Sequence, residues 1–295
     1  MCRGLNPTVR DSFFRRASLL ILLLTVPSIL FAADKPAGTL TVHDSLTAPN
    51  QPATIEATLI QKGLLTEAGL GGEQIELLVA GKVVATAMTG GDGRASLSYT
   101  AKAKGIVPFT VRVGATSKTT VAEAGANLAV WERRTPILAV EMAALVEDTV
   151  APGPAVTALG KDEEARRPMP DAAEELGKLT QFYYNVIYMV TEDRALDAND
   201  QVSAQARHWL KEHEFPVGHI IVLSSSPEAW GTKLDELHAA GWKTLKIGVG
   251  RTKAFAEAFL QRRLDAVMVP EPAKGEAPRR AKVAKEWKDV RKKMM

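Results

Sequence analysis

Sulfur, aromatic rings and net charge are all scarce in this chain. It holds one cysteine in 295 residues, and that residue is Cys2. A disulfide framework, a thiolate nucleophile in the body of the chain and a sulfur-ligated metal are therefore excluded, and stability has to come from packing. Aromatic residues make up 6%, and no Gly-rich nucleotide fingerprint occurs. The formal net charge is only +3, and it belongs to one end. Arg3, Arg10, Arg15 and Arg16, against Asp11, precede the 17-residue apolar run Ala17–Ala33, which Pro27 interrupts. A positive segment followed by such a run has the form of an export signal or an N-terminal anchor over residues 1–33. Setting aside its four bases and one acid from totals of 37 and 34 leaves 33 of each and no net charge. That balance gives no nucleic-acid footprint. The expected location is extracytoplasmic, in the periplasm or cell envelope.

What is present is ordinary globular material, 46% apolar and 24% charged, in a length that suits about two domains. Residues 34–129 read as short strands broken by glycine. In Ile55, Ala57, Leu59, in Ala95, Leu97, Tyr99 and in Phe109, Val111, Val113, every second residue is apolar, the period of a half-buried strand. Gly81-Lys82 reads as a hairpin turn, and Gly90–Gly93 as a turn before the next strand. About seven strands in roughly 90 residues predict an all-β sandwich. The stretch GGEQIELLVAGKVVATAMTGGDGRASLSYT (71–100) resembles bacterial immunoglobulin-like modules, which serve as spacers or binding modules.

Trp131–Pro136 reads as a linker. Beyond it, strand-like runs at Ile137–Val146, Val186–Val190, Ile220–Leu223, Thr244–Val249 and Ala266–Val269 alternate with amphipathic helices. Val202, Ala206, Trp209 and Leu210 share one helix face, as do Trp230, Leu234 and Leu237, and Phe255, Phe259 and Leu260. This pattern predicts, over 130–273, an α/β (Rossmann-like) parallel sheet with helices on both faces. Residues 147–170, proline-rich with a charged KDEEARR run, form a long insertion after its first strand. Ligands of such sheets bind beyond the carboxyl ends of the strands.

At those ends YNVIYMVTEDR (184–194), WLKEHEFPVGHIIVL (209–223), Lys233 and IGVGRTKAFAEAF (247–259) occur in an order that resembles haloacid dehalogenase (HAD) phosphohydrolases. The closest subgroup is the lipin-like and actin-patch phosphatidate phosphatases. Family activity requires a DxDxT signature after the first strand, one aspartate acting as nucleophile and the acids holding Mg²⁺. The matching segment here is VEMAAL (140–145), with Val140 and Met142 at the aspartate positions. The later GDxxxD motif becomes GRTKAF (250–255), placing Arg251 and Phe255 where acids belong. The resemblance thus implies a HAD-like domain with degenerate catalytic positions and no Mg²⁺. Glu141 is the best surviving carboxylate. Thr191, Lys233 and Arg251 match or replace phosphate-holding positions and make up an expected anion pocket for a phosphorylated small molecule or lipid. The alternative is an active phosphatidate phosphatase-like enzyme that uses Mg²⁺ and a non-standard acid such as Glu141.

His208 and His213 are five apart, unlike the i, i+4 spacing of a zinc-binding helix. Ser224–Ser226 lack a G-x-S-x-G elbow and read as a helix N-cap. Residues 274–295 carry nine basic residues against three acids. There Val283, Trp287, Val290 and Met294 form a stripe predicting a basic amphipathic helix. Such a helix either closes the sheet or attaches to an anionic membrane surface. The expected function is a binding or structural role in the cell envelope.

Overall fold

The structure, a computed structural model, describes residues 37–62, 67–115, 119–147, 167–192 and 202–294. The expected export segment at 1–33 and most of the 147–170 insertion lie outside the described residues. The alternating segments become β1 (Thr39–Val42), β2 (Ser45–Thr47), β3 (Pro52–Lys62), β4 (Glu67–Gly69), β5 (Gln74–Val79), β6 (Lys82–Met88), β7 (Arg94–Thr100), β8 (Gly105–Val113) and β9 (Ala124–Val130). They form two sheets, β1-β3-β4 with β7 also paired to β3, and β2-β9-β8-β5-β6. Ile55, Ala57 and Leu59 of β3, with Ala95 and Leu97 of β7, meet Ile75, Leu77, Phe109, Val111 and Leu128 of the other sheet in one core. Ile55, Leu59, Ile75, Leu77, Leu97 and Leu128 are at most 1% exposed. At ~1.5–3 kcal/mol for each fully buried aliphatic side chain, they do the work that a disulfide does in smaller sandwiches. The distribution of strands between the sheets is immunoglobulin-like.

One predicted turn is displaced by a residue. Val79 pairs with Lys82, so the loop is Ala80-Gly81, both at positive φ (49° and 73°). This is the type I′ geometry that matches strand twist. Between β1 and β2 the chain crosses from the first sheet to the second, where β2 pairs parallel with β9. Asp44 stands at that crossing.

The second half alternates as its apolar runs require: β10 (Ile137–Glu141), a single 3₁₀ turn at Met142–Ala144, α1 (Ala172–Phe182), β11 (Asn185–Glu192), α2 (Val202–Glu212), β12 (His219–Ser224), α3 (Pro227–Ala239), β13 (Leu245–Gly250), α4 (Lys253–Gln261), β14 (Asp265–Met268), β15 (Lys282–Val283) and α5 (Trp287–Met294). The six strands are parallel in the order β12-β11-β10-β13-β14-β15, a doubly wound sheet whose direction of growth reverses between β10 and β13. Alternate residues serve opposite faces. Leu138, Val140, Tyr188 and Val249 pack with α1, α2 and α5, while Ala139, Ile187, Met189 and Leu245 pack with α3 and α4.

The segment 274–295 corrects the expectation of a separate basic helix. Lys282–Val283 adds the sixth strand, pairing with Val267 and Met268, and only Trp287–Met294 is helical. Trp287 and Val290 are fully buried, and the Trp287 Nε1–H donates to the Ala144 carbonyl at 3.0 Å. The stripe is thereby spent on the α/β core, because a spacing of four residues also fits a strand, a turn and then a helix.

Candidate functional site

The carboxyl ends of β10 and β13 meet at the reversal point, and Glu141 is the last residue of β10. It is 3% exposed. Its Oε2 accepts from the backbone N–H groups of Arg251 (2.6 Å) and Thr252 (2.8 Å), and its Oε1 from the Thr252 hydroxyl (2.6 Å). Thr252 in turn is the N-cap of α4, its hydroxyl accepting from Phe255 N–H at 3.3 Å. The carboxylate is therefore a strap joining the first strand to the turn after the fourth. Burial pushes the Glu141 carboxyl above its ordinary value, against the downward pull of the Thr252 and Arg251 hydrogen bonds and the Arg251 charge. The strap demands glycine at 250: a Cβ there would sit 2.2 Å from the Phe255 ring and 2.8 Å from Glu141 Oε2.

The other expected site residues are placed as follows. Val140 and Met142 are at most 1% exposed and belong to the core packed by α1, α2 and α5. The Arg251 guanidinium donates to the carbonyls of Val146 (3.1 Å) and Ala143 (3.4 Å), tying down the chain that leaves β10. Thr191, opposite Leu223, is partly exposed near the carboxyl end of β11. Lys233 lies midway along α3, paired with Glu236 at 2.5 Å. It is also near enough to His219, at the amino end of β12, to influence that ring's charge. The structure thus joins Glu141 to Arg251, leaves Thr191 at the same end of the sheet, and pairs Lys233 with Glu236 midway along α3. Ser226 is the N-cap residue of α3, as expected, but without a side-chain cap bond.

Mg²⁺ does not fit these residues. It needs hard oxygen ligands, whereas Val140 and Met142 are apolar and both Glu141 oxygens are taken by donors of the chain. Among the described residues no group of three or more His, Cys, Asp or Glu side chains is arranged to hold a metal ion.

A second polar cluster, which the sequence reading missed, joins the two domains. The Asp44 side chain is 0% exposed. Its Oδ1 accepts from Asn127 N–H (2.8 Å) and the Arg207 guanidinium, and its Oδ2 from Ile220 N–H (2.9 Å). Arg207 also reaches the Gly125 carbonyl at 3.3 Å. One carboxylate thus links the sheet crossing, β9, α2 and β12, the last being an edge strand whose free N–H needs an acceptor. Beside it His219 lies edge-on to Trp131 at 6.3 Å. Among the described residues no group hydrogen-bonds to the buried His219 Nδ1 or Arg207 Nε.

Burial lowers the His219 pKa from 6.5 to about 4; Lys233 and Arg207 add to this, and Asp44 opposes it. Between those two values the unfolded chain binds a proton that the native ring refuses, so stability falls as pH falls from 6.5 to 4. For this fully buried ring the loss amounts to about 3 kcal/mol. The unfolding free energy of the wild type relative to His219→Gln is expected to drop by that amount between neutral pH and pH 4 in urea melts. A constant difference would place the ring in contact with solvent.

No family model and no curated protein matches this chain. Solved structures give likenesses of low score. Fibronectin(III)-like modules of Clostridium thermocellum CbhA share 14% identity, covering 32% of this chain and 94% of that one, with a TM-score of 0.23. The D0-D1 domain of intimin shares 14%, covering 35% and 56%, at 0.24. The chitinase ChiW of Paenibacillus sp. str. FPU-7, a cell-surface-expressed multi-modular enzyme, shares 11%, covering 76% and 29%, at 0.26. These scores carry no argument about activity. The class rests on the chain's own topology: an immunoglobulin-like sandwich followed by a doubly wound α/β domain.

Proposed function

We propose that this is an exported protein of the cell envelope whose α/β half is a HAD-like domain kept as a binding or structural module without phosphohydrolase chemistry. The observation that carries this reading is the state of Glu141. A nucleophile or general acid has to offer a free oxygen to substrate, and this carboxylate accepts three hydrogen bonds inside the protein while no second acid stands at Val140 or Met142. Arg251 supports the same reading, since its guanidinium serves backbone carbonyls. Any phosphorylated ligand would meet Thr191 and the turn before α4, without Lys233. The basic C-terminal segment adds surface charge through exposed Arg279, Arg280, Lys285, Arg291 and Lys293, since its apolar stripe is internal.

The test is hydrolysis of an aryl phosphate and of phosphatidate by the purified protein, with Mg²⁺ and with chelator. The expected rate equals that of the Glu141→Gln variant and of buffer in both conditions. Turnover that needs Mg²⁺ and disappears in Glu141→Gln would establish the active phosphatase instead.

A further inference from the structure

The amino end of the parallel sheet carries a groove at the far end of the strands from Glu141. Its volume is about 460 Å³, and its walls include Thr180 and Gln181 of α1, Tyr184 and Asn185 at the start of β11, Glu214 and Val217 after α2, and Trp131 from the sandwich side. A concave junction of two domains with a few convergent polar groups is the usual form of a ligand site. Two properties of the wall restrict the ligand. Among the described residues the lining contains no lysine, arginine or histidine, so an anion would meet the Glu214 carboxylate without a cation in the wall. Its polar groups are instead the Gln181 and Asn185 amides, the Glu214 carboxylate and the Thr180 hydroxyl, which already donates to Leu176 O at 3.0 Å and keeps its acceptor side.

The second property is aromatic surface left in water. Phe182 is 68% and Tyr183 60% exposed, and Val217 is 72% exposed. The two rings directly follow Gln181, with centroids 6.2 Å apart and planes at 61°. Of these exposed residues Val217 lies in the groove wall itself, together with Tyr184, and exposed apolar surface at a polar groove marks an interaction site. A pyranose ring presents the matching pair of surfaces. Its C–H face lies on an aromatic ring, and its hydroxyls, each both donor and acceptor, fit amides and a carboxylate.

We infer that this groove binds a neutral oligosaccharide, with Tyr184 as the stacking surface in its wall and Gln181, Asn185 and Glu214 holding hydroxyls. The site is independent of the chemistry at the carboxyl end of the sheet. Titration of the ¹⁵N-labelled protein with cellotetraose, maltotetraose and tetra-N-acetylchitotetraose, each in turn, tests it by NMR. With at least one sugar, saturable shifts are expected at Gln181, Asn185 and Glu214. Binding is expected to weaken at least about tenfold in Tyr184→Ala and in the exposed, fold-neutral Gln181→Ala, and to stay unchanged in Lys233→Ala. No saturable shift with any of the three sugars overturns the assignment. So does binding that both Gln181→Ala and Asn185→Ala leave intact. Self-association lost in Phe182→Ser/Tyr183→Ser, without sugar binding, would give the rings to a protein contact and overturn it equally.

Discussion

Asp44→Ala is expected to lower the unfolding free energy by about 3–5 kcal/mol, the cost of breaking a buried charge pair from one side. The substitution removes one small side chain yet orphans three donors. Asn127 N–H, Ile220 N–H and the Nη2 of Arg207 all lose their acceptor, Arg207 Nη1 keeping the Gly125 carbonyl, and each buried unpaired group costs about 1–3 kcal/mol. Arg207→Ala should cost less, because two backbone N–H groups still serve the carboxylate that remains. Asp44→Asn does not rescue, since its amide turns a donor toward donors. Urea denaturation of the three variants, with the double mutant closing the cycle, measures this. Equal midpoints for Asp44→Ala and wild type would mean that packing alone holds the domains together.

Glu141→Ala should be comparably damaging, again about 3–5 kcal/mol, for a related reason. It leaves Arg251 N–H, Thr252 N–H and the Thr252 hydroxyl without their acceptor, and removes the opposite charge from beside Arg251. Since the donors hold the end of β13 and the start of α4, amide exchange should accelerate first at residues 249–255. Glu141→Gln keeps the volume but offers one oxygen where two were used, so a smaller loss of about 1–3 kcal/mol follows. A catalytic carboxylate would behave in the opposite way, with activity lost in the glutamine variant and stability unchanged or improved. Paired melts and rate measurements on the two variants separate these roles.

The regular elements were legible because their periods are local. Ile55-Ala57-Leu59 and Trp230-Leu234-Leu237 announce a strand and a helix from within a few residues, and all six are buried. β2 and β4, three residues each, are too short to show a period. α1 shows only Ala172, Leu176 and Leu179 behind a proline-rich stretch. The two polar clusters differ in kind. Asp44 is bonded to groups 83, 163 and 176 residues away, and nothing near it in sequence distinguishes it from a turn aspartate. Glu141 and Arg251 were each legible as a candidate at a strand end. Their roles were not, because the decisive partners of Glu141 are backbone N–H groups 110 and 111 positions distant.

The bond from Trp287 to Ala144 spans 143 residues, and it gives vectorial synthesis an uneven character. The described strands of the sandwich have all been synthesised once residue 130 is added, so that half can condense while elongation continues. The parallel sheet begins at its centre, with β10, and its core stays unplugged until Trp287 and Val290 arrive. Throughout that interval Leu138, Val140 and Leu145, buried in the finished protein, lack their final cover. A nascent chain of this kind is a completed sandwich trailing an open apolar sheet, and the span of translation between residues 137 and 290 is when it most needs a holding chaperone.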